Sequence, residues 1–117
     1  MQYPSGYDIS IYKNYSPYFI AYYVDNKIAG VNSAHCSSPT HFRSRGLYVF
    51  EEYRNKGIAV KLLEFTIGLG KEQGCKYCWS VPRKTALKSY VAAGFEQTTN
   101  FFKTDTSDDN CYAIITV

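Results

Sequence analysis

The residues best suited to chemistry in this chain of 117 residues form one short run, Arg54-Asn55-Lys56-Gly57-Ile58-Ala59. A strand ends just upstream at Val49-Phe50, and downstream the apolar positions take up a helical period, so a helix begins at a glycine. The first turn of a helix exposes N–H groups without intrahelical partners, and the helix dipole adds partial positive charge there. Such a terminus binds phosphate. Gly57 lets the backbone approach a phosphate with no Cβ in the way, and Ala59 keeps the next approach small. Arg54 and Lys56 add charge, and an arginine can fork two phosphate oxygens. Read without a ligand, the same run is a solvated basic loop that starts a helix. It lacks the Gly-Lys-Ser/Thr of a P-loop and the Gly-x-Gly-x-x-Gly of a dinucleotide fold.

The elements that position this run follow from periodicity. Tyr18 to Val24 reads as a strand, Asp25-Asn26-Lys27 as a turn, and Ile28 to Ala34 as a second strand of an antiparallel hairpin. A polar loop with Pro39 leads to a third strand, Gly46 to Phe50. Ile58, Leu62, Phe65 and Leu69 mark one helical stripe, broadened by Ala59, Leu63 and Ile67, and predict an amphipathic helix to about Gln73 with Gly74 as its stop. Gly68 and Gly70 each weaken that helix by about 1 kcal/mol relative to alanine, so its end frays or packs closely on the sheet. A fourth strand, Lys76 to Val81, ends at Pro82. Thr85 is placed to cap a second helix, Ala86 to Ala93, stopped by Gly94. Phe101 to Lys103 and Tyr112 to Val117 are expected as closing strands around the turn Thr106 to Asn110.

Composition sets the bounds. The length fits one domain over residues 1–117. No stretch approaches the roughly 18 to 20 apolar residues of a membrane span, and Met1 to Gly6 shows no secretory signal, so a soluble, cytoplasmic protein without membrane partners is expected. The net charge of +3 suits an anionic small molecule and does not demand nucleic acid. Twelve tyrosines fit half-buried strands, with a stacking platform for single-stranded nucleic acid as the other reading. Cys36, Cys75, Cys78 and Cys111 read as structural thiols in a reducing compartment. Cys75-x-x-Cys78 has metal-like spacing, but no second pair or nearby histidine completes a site, and on a strand the two would face opposite sides. No metal is expected.

With strand, loop and helix in place, Arg54-x-x-Gly57-x-Ala59 resembles the Arg/Gln-x-x-Gly-x-Gly/Ala signature of the GNAT superfamily of acyl-coenzyme A-dependent N-acetyltransferases. Tyr90-Val91-Ala92-Ala93-Gly94-Phe95 resembles the family's second signature, Tyr-x-x-x-Gly-Phe, and Ala86 fits four residues before that tyrosine. The two signatures occur in order, separated by a helix and a strand, and the resemblance covers Ser44 to Phe95. It implies an α/β fold with a mixed, mainly antiparallel sheet, a central parallel strand pair and two main helices. It also implies acetyl-coenzyme A as acyl donor, with the pyrophosphate on Arg54, Asn55, Lys56, Gly57, Ile58 and Ala59. The pantetheine arm would enter between Leu47 to Phe50 and Cys78 to Val81, with Val49 as a main-chain contact. Tyr90 would protonate the departing thiolate, a general-acid role often worth about 10² to 10⁴ in rate.

Three departures qualify that transfer. Arg83 stands where the family carries an asparagine; it cannot accept a hydrogen bond, and is a candidate contact to a cofactor phosphate instead. Glu51 replaces a common proline. Met1 to Ser16 supplies a strand at most, such as Tyr7 to Tyr12, so the N-terminal helices that roof the acceptor site are reduced or absent. The acceptor groove is then open, or completed by a second copy in a homodimer. The acceptor amine, on a small molecule, peptide or protein, must lose a proton. Glu51, Glu52, His35, His41 and Tyr48 are the candidates to assist, none singled out. The alternative function is a GNAT-like module that binds coenzyme A or a partner without turnover.

Overall fold

The computed structural model describes residues 16–104 and 109–117. The expected strand Tyr7 to Tyr12 and residues 106–108 of the expected turn lie outside the described residues. Among the described residues the chain runs β1 (Tyr18–Val24), β2 (Lys27–Cys36), β3 (His41–Val49), a 3₁₀ turn (Glu51–Tyr53), α1 (Ile58–Glu72), β4 (Tyr77–Ser80), α2 (Lys84–Ala92), β5 (Glu96–Gln97) and β6 (Ala113–Thr116).

The sheet order is β1-β2-β3-β4-β6-β5. The β1–β2 hairpin closes on Asp25 and Asn26, whose φ values of 48° and 65° are those of the tight turn that matches strand twist. β3 and β4 pair in parallel, and every other neighbouring pair is antiparallel. A parallel pair needs a long crossover. Helix α1 supplies it and lies across β2 and β3, burying Ile58, Leu62, Leu63, Thr66 and Gly70. Leu63 joins Ala34, Phe42, Cys78, Tyr90, Phe95 and Ala113 in the main core, while Ile58 and Leu62 pack on Ala29.

The sequence reading needs four corrections. β3 begins at His41, five positions before the expected Gly46, because Phe42 and Ser44 alternate inward with polar residues that masked the strand period. Thr85 caps nothing: α2 already starts at Lys84 with Arg83 as its N-cap, after the Lys84 amide bonds the Asp109 carbonyl at 2.8 Å. Phe101 to Lys103 forms only a bridge from Phe102 to Asn110, and the short β5 sits at Glu96–Gln97 instead. Cys75 precedes β4, so it and Cys78 enter the same core; burial pushes their thiols up to about 11 and about 12. Cys75 Sγ lies 3.7 Å from Cys36 Sγ, and all four cysteines are free thiols.

The two glycines in α1 have opposite roles. A Cβ on Gly70 would stand 2.8 Å from Cys78 Sγ and 3.1 Å from Phe42 Cβ, whereas one on Gly68 would meet open space. Gly68→Ala should therefore stabilise by about 1 kcal/mol through helix propensity. Gly70→Ala should destabilise by about 1–3 kcal/mol through overpacking, despite the same propensity gain. Urea unfolding midpoints moving in opposite directions would bear this out, and a shared direction would refute it.

Candidate active site

The site begins with an irregularity in β3. Ser33 pairs with Arg45 and Val31 with Tyr48, so β3 carries one residue more than β2 across this interval. That is a β-bulge, and Gly46 sits in it with φ 89°. Ser33 Oγ donates to the Arg45 carbonyl beside it. A bulge bends its strand. The parallel pairing of β3 with β4 accordingly ends at Arg43–Trp79, although β3 runs on to Val49. Beyond that point β4 ends at Ser80 and the chain turns through Pro82 into α2.

A cleft of about 1300 Å³ fills the space between the parted strands. Its wall runs from Tyr53, Arg54, Asn55, Gly57, Ile58 and Ala59 at one end, past Val49 and Tyr90, to Phe102, Asn110 and Tyr112 at the other. Among the described residues that wall carries Arg43, Arg45, Arg54, Arg83 and Lys88, and no carboxylate. Such a lining attracts an anion.

At the first end, Gly57 is the N-cap of α1 with φ 78°, and no side chain caps the helix. A Cβ at Gly57 would meet nothing within 4 Å, so the space over the helix terminus is open. Arg54 lines this end of the cleft. Its Nε donates to the Val49 carbonyl at 2.9 Å, and its guanidinium lies 5.5 Å from the centre of the Tyr48 ring. Arginine and strand end thus hold the loop between them. Lys56 is exposed, 5.9 Å from the Tyr53 ring centre, and is not in the cleft wall.

At the parting of the strands lies Tyr90, 2% exposed. Its helix ends in a Schellman motif: the Phe95 amide bonds the Tyr90 carbonyl at 2.9 Å and the Gly94 amide bonds Val91 at 3.0 Å. Phe95 then packs edge-on against the Tyr90 ring at 5.0 Å. The Tyr-x-x-x-Gly-Phe spacing is therefore a clamp on the tyrosine. The phenol oxygen sits 3.0 Å from Ser44 Oγ and 3.1 Å from Ser80 Oγ. Burial pushes the phenol pKa up, while the two serines and the Arg43 charge pull it partly back. Tyr90 is a protonated phenol at neutral pH.

Of the residues considered for deprotonating an amine, Tyr48 lines the cleft; Glu51, Glu52, His35 and His41 do not. Glu51 and Glu52 are exposed on the 3₁₀ turn. His41 is at the far end of β3, against Tyr77. His35 is 1% exposed on the opposite face of β2 from Asn32, and its pKa falls to about 4 through burial first, then the charges of Arg43 and Arg45. Sequence reasoning missed Ser44, Ser80 and the Gly46 bulge. A glycine isolated within an alternating strand pattern was the available signal for the last.

Comparison with known proteins identifies the family and the fold. Residues 14–97 match the model of the acetyltransferase (GNAT) domain. The chain belongs to the GNAT acetyltransferase family. No curated protein matches its sequence. Among solved structures, an acetyltransferase from Bacillus cereus superposes with TM-score 0.76 at 17% identity, over 95% of this chain and 80% of the other. A GNAT family acetyltransferase from Elizabethkingia anophelis with acetyl-CoA bound gives 0.74 at 19% identity, over 87% and 77%. The ribosomal-protein-S18-alanine N-acetyltransferase from Escherichia coli gives 0.70 at 18%, over 86% and 69%. At these identities the likeness is one of fold.

Two outcomes follow from this geometry. Gly57→Glu should abolish calorimetric binding of acetyl-coenzyme A, and Gly57→Ala should weaken it far less, since both share a left-handed strain of about 1–2 kcal/mol and only Glu adds bulk and negative charge. Equal loss in both would move the anion site elsewhere. His35 titrates lower in the folded than in the unfolded chain, so its contribution to stability is complete above the unfolded value of 6.5 and is lost as pH falls toward about 4. Thermal midpoints between pH 7.5 and 4.5 should drop less steeply in His35→Gln than in the parent; parallel slopes would remove His35 from the account.

Proposed function

We propose that this protein transfers an acetyl group from acetyl-coenzyme A to the nitrogen of an amine acceptor by direct attack. The observation that carries the reading is a buried, protonated phenol where β3 and β4 part, in the same cleft as an uncapped helix terminus. In this reading the pyrophosphate rests on the amides of Gly57, Ile58 and Ala59, with Asn55 beside them and Lys56 and Arg83 adding charge. Arg54 contributes by holding the Val49 end of the loop, and turns to the phosphate when it releases that carbonyl. The pantetheine arm lies along the strand end at Val49.

The chemistry is then simple in outline. The neutral amine attacks the thioester carbonyl, the carbon–sulfur bond breaks with its electron pair on sulfur, and Tyr90 gives its phenol proton to that sulfur. In this reading Tyr48, the candidate that lines the cleft, holds a water that takes the proton from the amine. The acceptor is a small molecule, a peptide or a protein, and the basic wall favours an acceptor without clustered positive charge. A reducing, cytoplasmic setting belongs to the same proposal and suits four cysteines that stand as free thiols.

Tyr90→Phe tests the assignment. Coenzyme A release with a panel of primary amines should fall at least about 10²-fold in kcat, with the KM for acetyl-coenzyme A little changed. Unchanged turnover would sink the acid role. Tight binding of acetyl-coenzyme A by a parent protein that turns over no amine would favour a binding module instead.

A further inference from the structure

Five polar side chains, one from each of five elements, meet in the interior. Thr66 of α1, Asn32 of β2, Ser44 of β3, Ser80 of β4 and Tyr90 of α2 are 0%, 2%, 1%, 4% and 2% exposed. We propose that Ser44 and Ser80, backed by Asn32 and Thr66, are positioning residues that aim the Tyr90 hydroxyl into the gap between β3 and β4 and polarise it as a proton donor. The proposal rests on the acetyl-transfer reading above and extends it to residues that neither signature contains.

Counting hydrogens fixes the direction of the chain as far as Ser44. Thr66 Oγ1 gives its one proton to the Leu62 carbonyl at 2.8 Å, so toward Asn32 it can only accept. The Asn32 amide therefore turns its nitrogen inward, and Nδ2 donates to Thr66 Oγ1 and to Ser44 Oγ, each at 2.9 Å. Ser44 Oγ, accepting from Asn32, shares a hydrogen bond with the phenol oxygen 3.0 Å away in which either hydroxyl can donate; once the phenol is ionised only Ser44 can. Ser80 has one proton and two acceptors: the Ser44 carbonyl at 2.8 Å and the phenol oxygen at 3.1 Å.

That shared proton makes the cluster responsive. While Tyr90 is a neutral phenol, Ser80 bridges the parted strands through the Ser44 carbonyl. When the phenol proton passes to the departing sulfur, the Ser80 proton swings to the phenolate oxygen, which then accepts from both serines. The sulfur ends as a thiol, and the phenolate later recovers a proton from water in the cleft. Hydrogen bonds to an ionised group are about twice as strong as those to a neutral one, so the pair stabilises the phenolate more than the phenol. The arrangement has a structural cost. Asn32 Oδ1 is buried without a hydrogen-bond partner, because both amide protons are needed on the other side.

The test compares Ser80→Ala and Ser80→Thr with the parent, reading kcat and KM from coenzyme A release, the dissociation constant for acetyl-coenzyme A, and the thermal midpoint. Ser80→Ala should lose about 10- to 100-fold in kcat while KM and affinity stay within about twofold, and Ser80→Thr, which keeps the hydroxyl, should recover most of the loss. Should either Ser80 variant fail to fold, Ser44→Ala carries the same expectation. Ser80→Ala as active as an active parent would overturn the positioning role alone. A folded, cofactor-binding Ser80→Thr as poor as Ser80→Ala would do so too, by showing that the hydroxyl is not what matters. A parent without turnover would overturn the acetyl-transfer reading and this proposal together.

Discussion

The site depends on two parallel strands being unable to stay paired. β3 and β4 share a ladder only from His41 to Arg43, and the extra residue at Gly46 bends β3 away. Backbone groups buried without partners are costly, so a gap inside a sheet persists only if something fills or bridges it. On this side of the sheet the bridge is a side chain, Ser80 reaching the Ser44 carbonyl. A cleft at the centre of the fold follows from that bend, and the elements around it are arranged at its edges.

Two helices meet the gap in different ways. α1 presents its N-terminus, where orphan amides and the dipole favour an anion, and its body anchors the sheet through Leu62, Leu63 and the close approach at Gly70. α2 is only nine residues long and buries Tyr90 alone. So short a helix has little packing of its own to hold a side chain in place. The Schellman turn and Phe95 supply the missing rigidity, fixing the ring from the backbone side while the serines fix its hydroxyl.

Among the described residues the buried interior includes six polar side chains, Asn32, His35, Ser44, Thr66, Ser80 and Asn110. Asn32, Ser44, Thr66 and Ser80 occupy positions where Val or Ala would pack without desolvation. Through Ser44 and Ser80 they connect to the hydroxyl of Tyr90, which lines the cleft. His35 lies on the opposite face and stays neutral because burial and two arginines oppose its charge.

Much of this was legible in the residues. β1 and the start of α1 came out at their observed ends, and β2 and β4 within a few residues, because strand alternation, the Asp25-Asn26 turn and the apolar stripe from Ile58 are local signals. The uncapped glycine terminus and the Tyr90–Phe95 clamp were visible as spacing, since each is made within one turn of chain. The early start of β3, the bridge at Phe102 and the thiol pair Cys36–Cys75 were not, because each depends on a neighbour far along the chain. The same holds for Ser44 and Ser80. A serine in a strand carries no mark of its partner, and only the folding of β3, β4 and α2 onto one another brings their hydroxyls to a single phenol. Sequence by itself determined most of the helix and strand segments and the glycine at which α1 begins. Tertiary structure decided which side chains share a proton, because hydrogen bonds of about 3 Å are set by packing between elements and not by spacing along the chain.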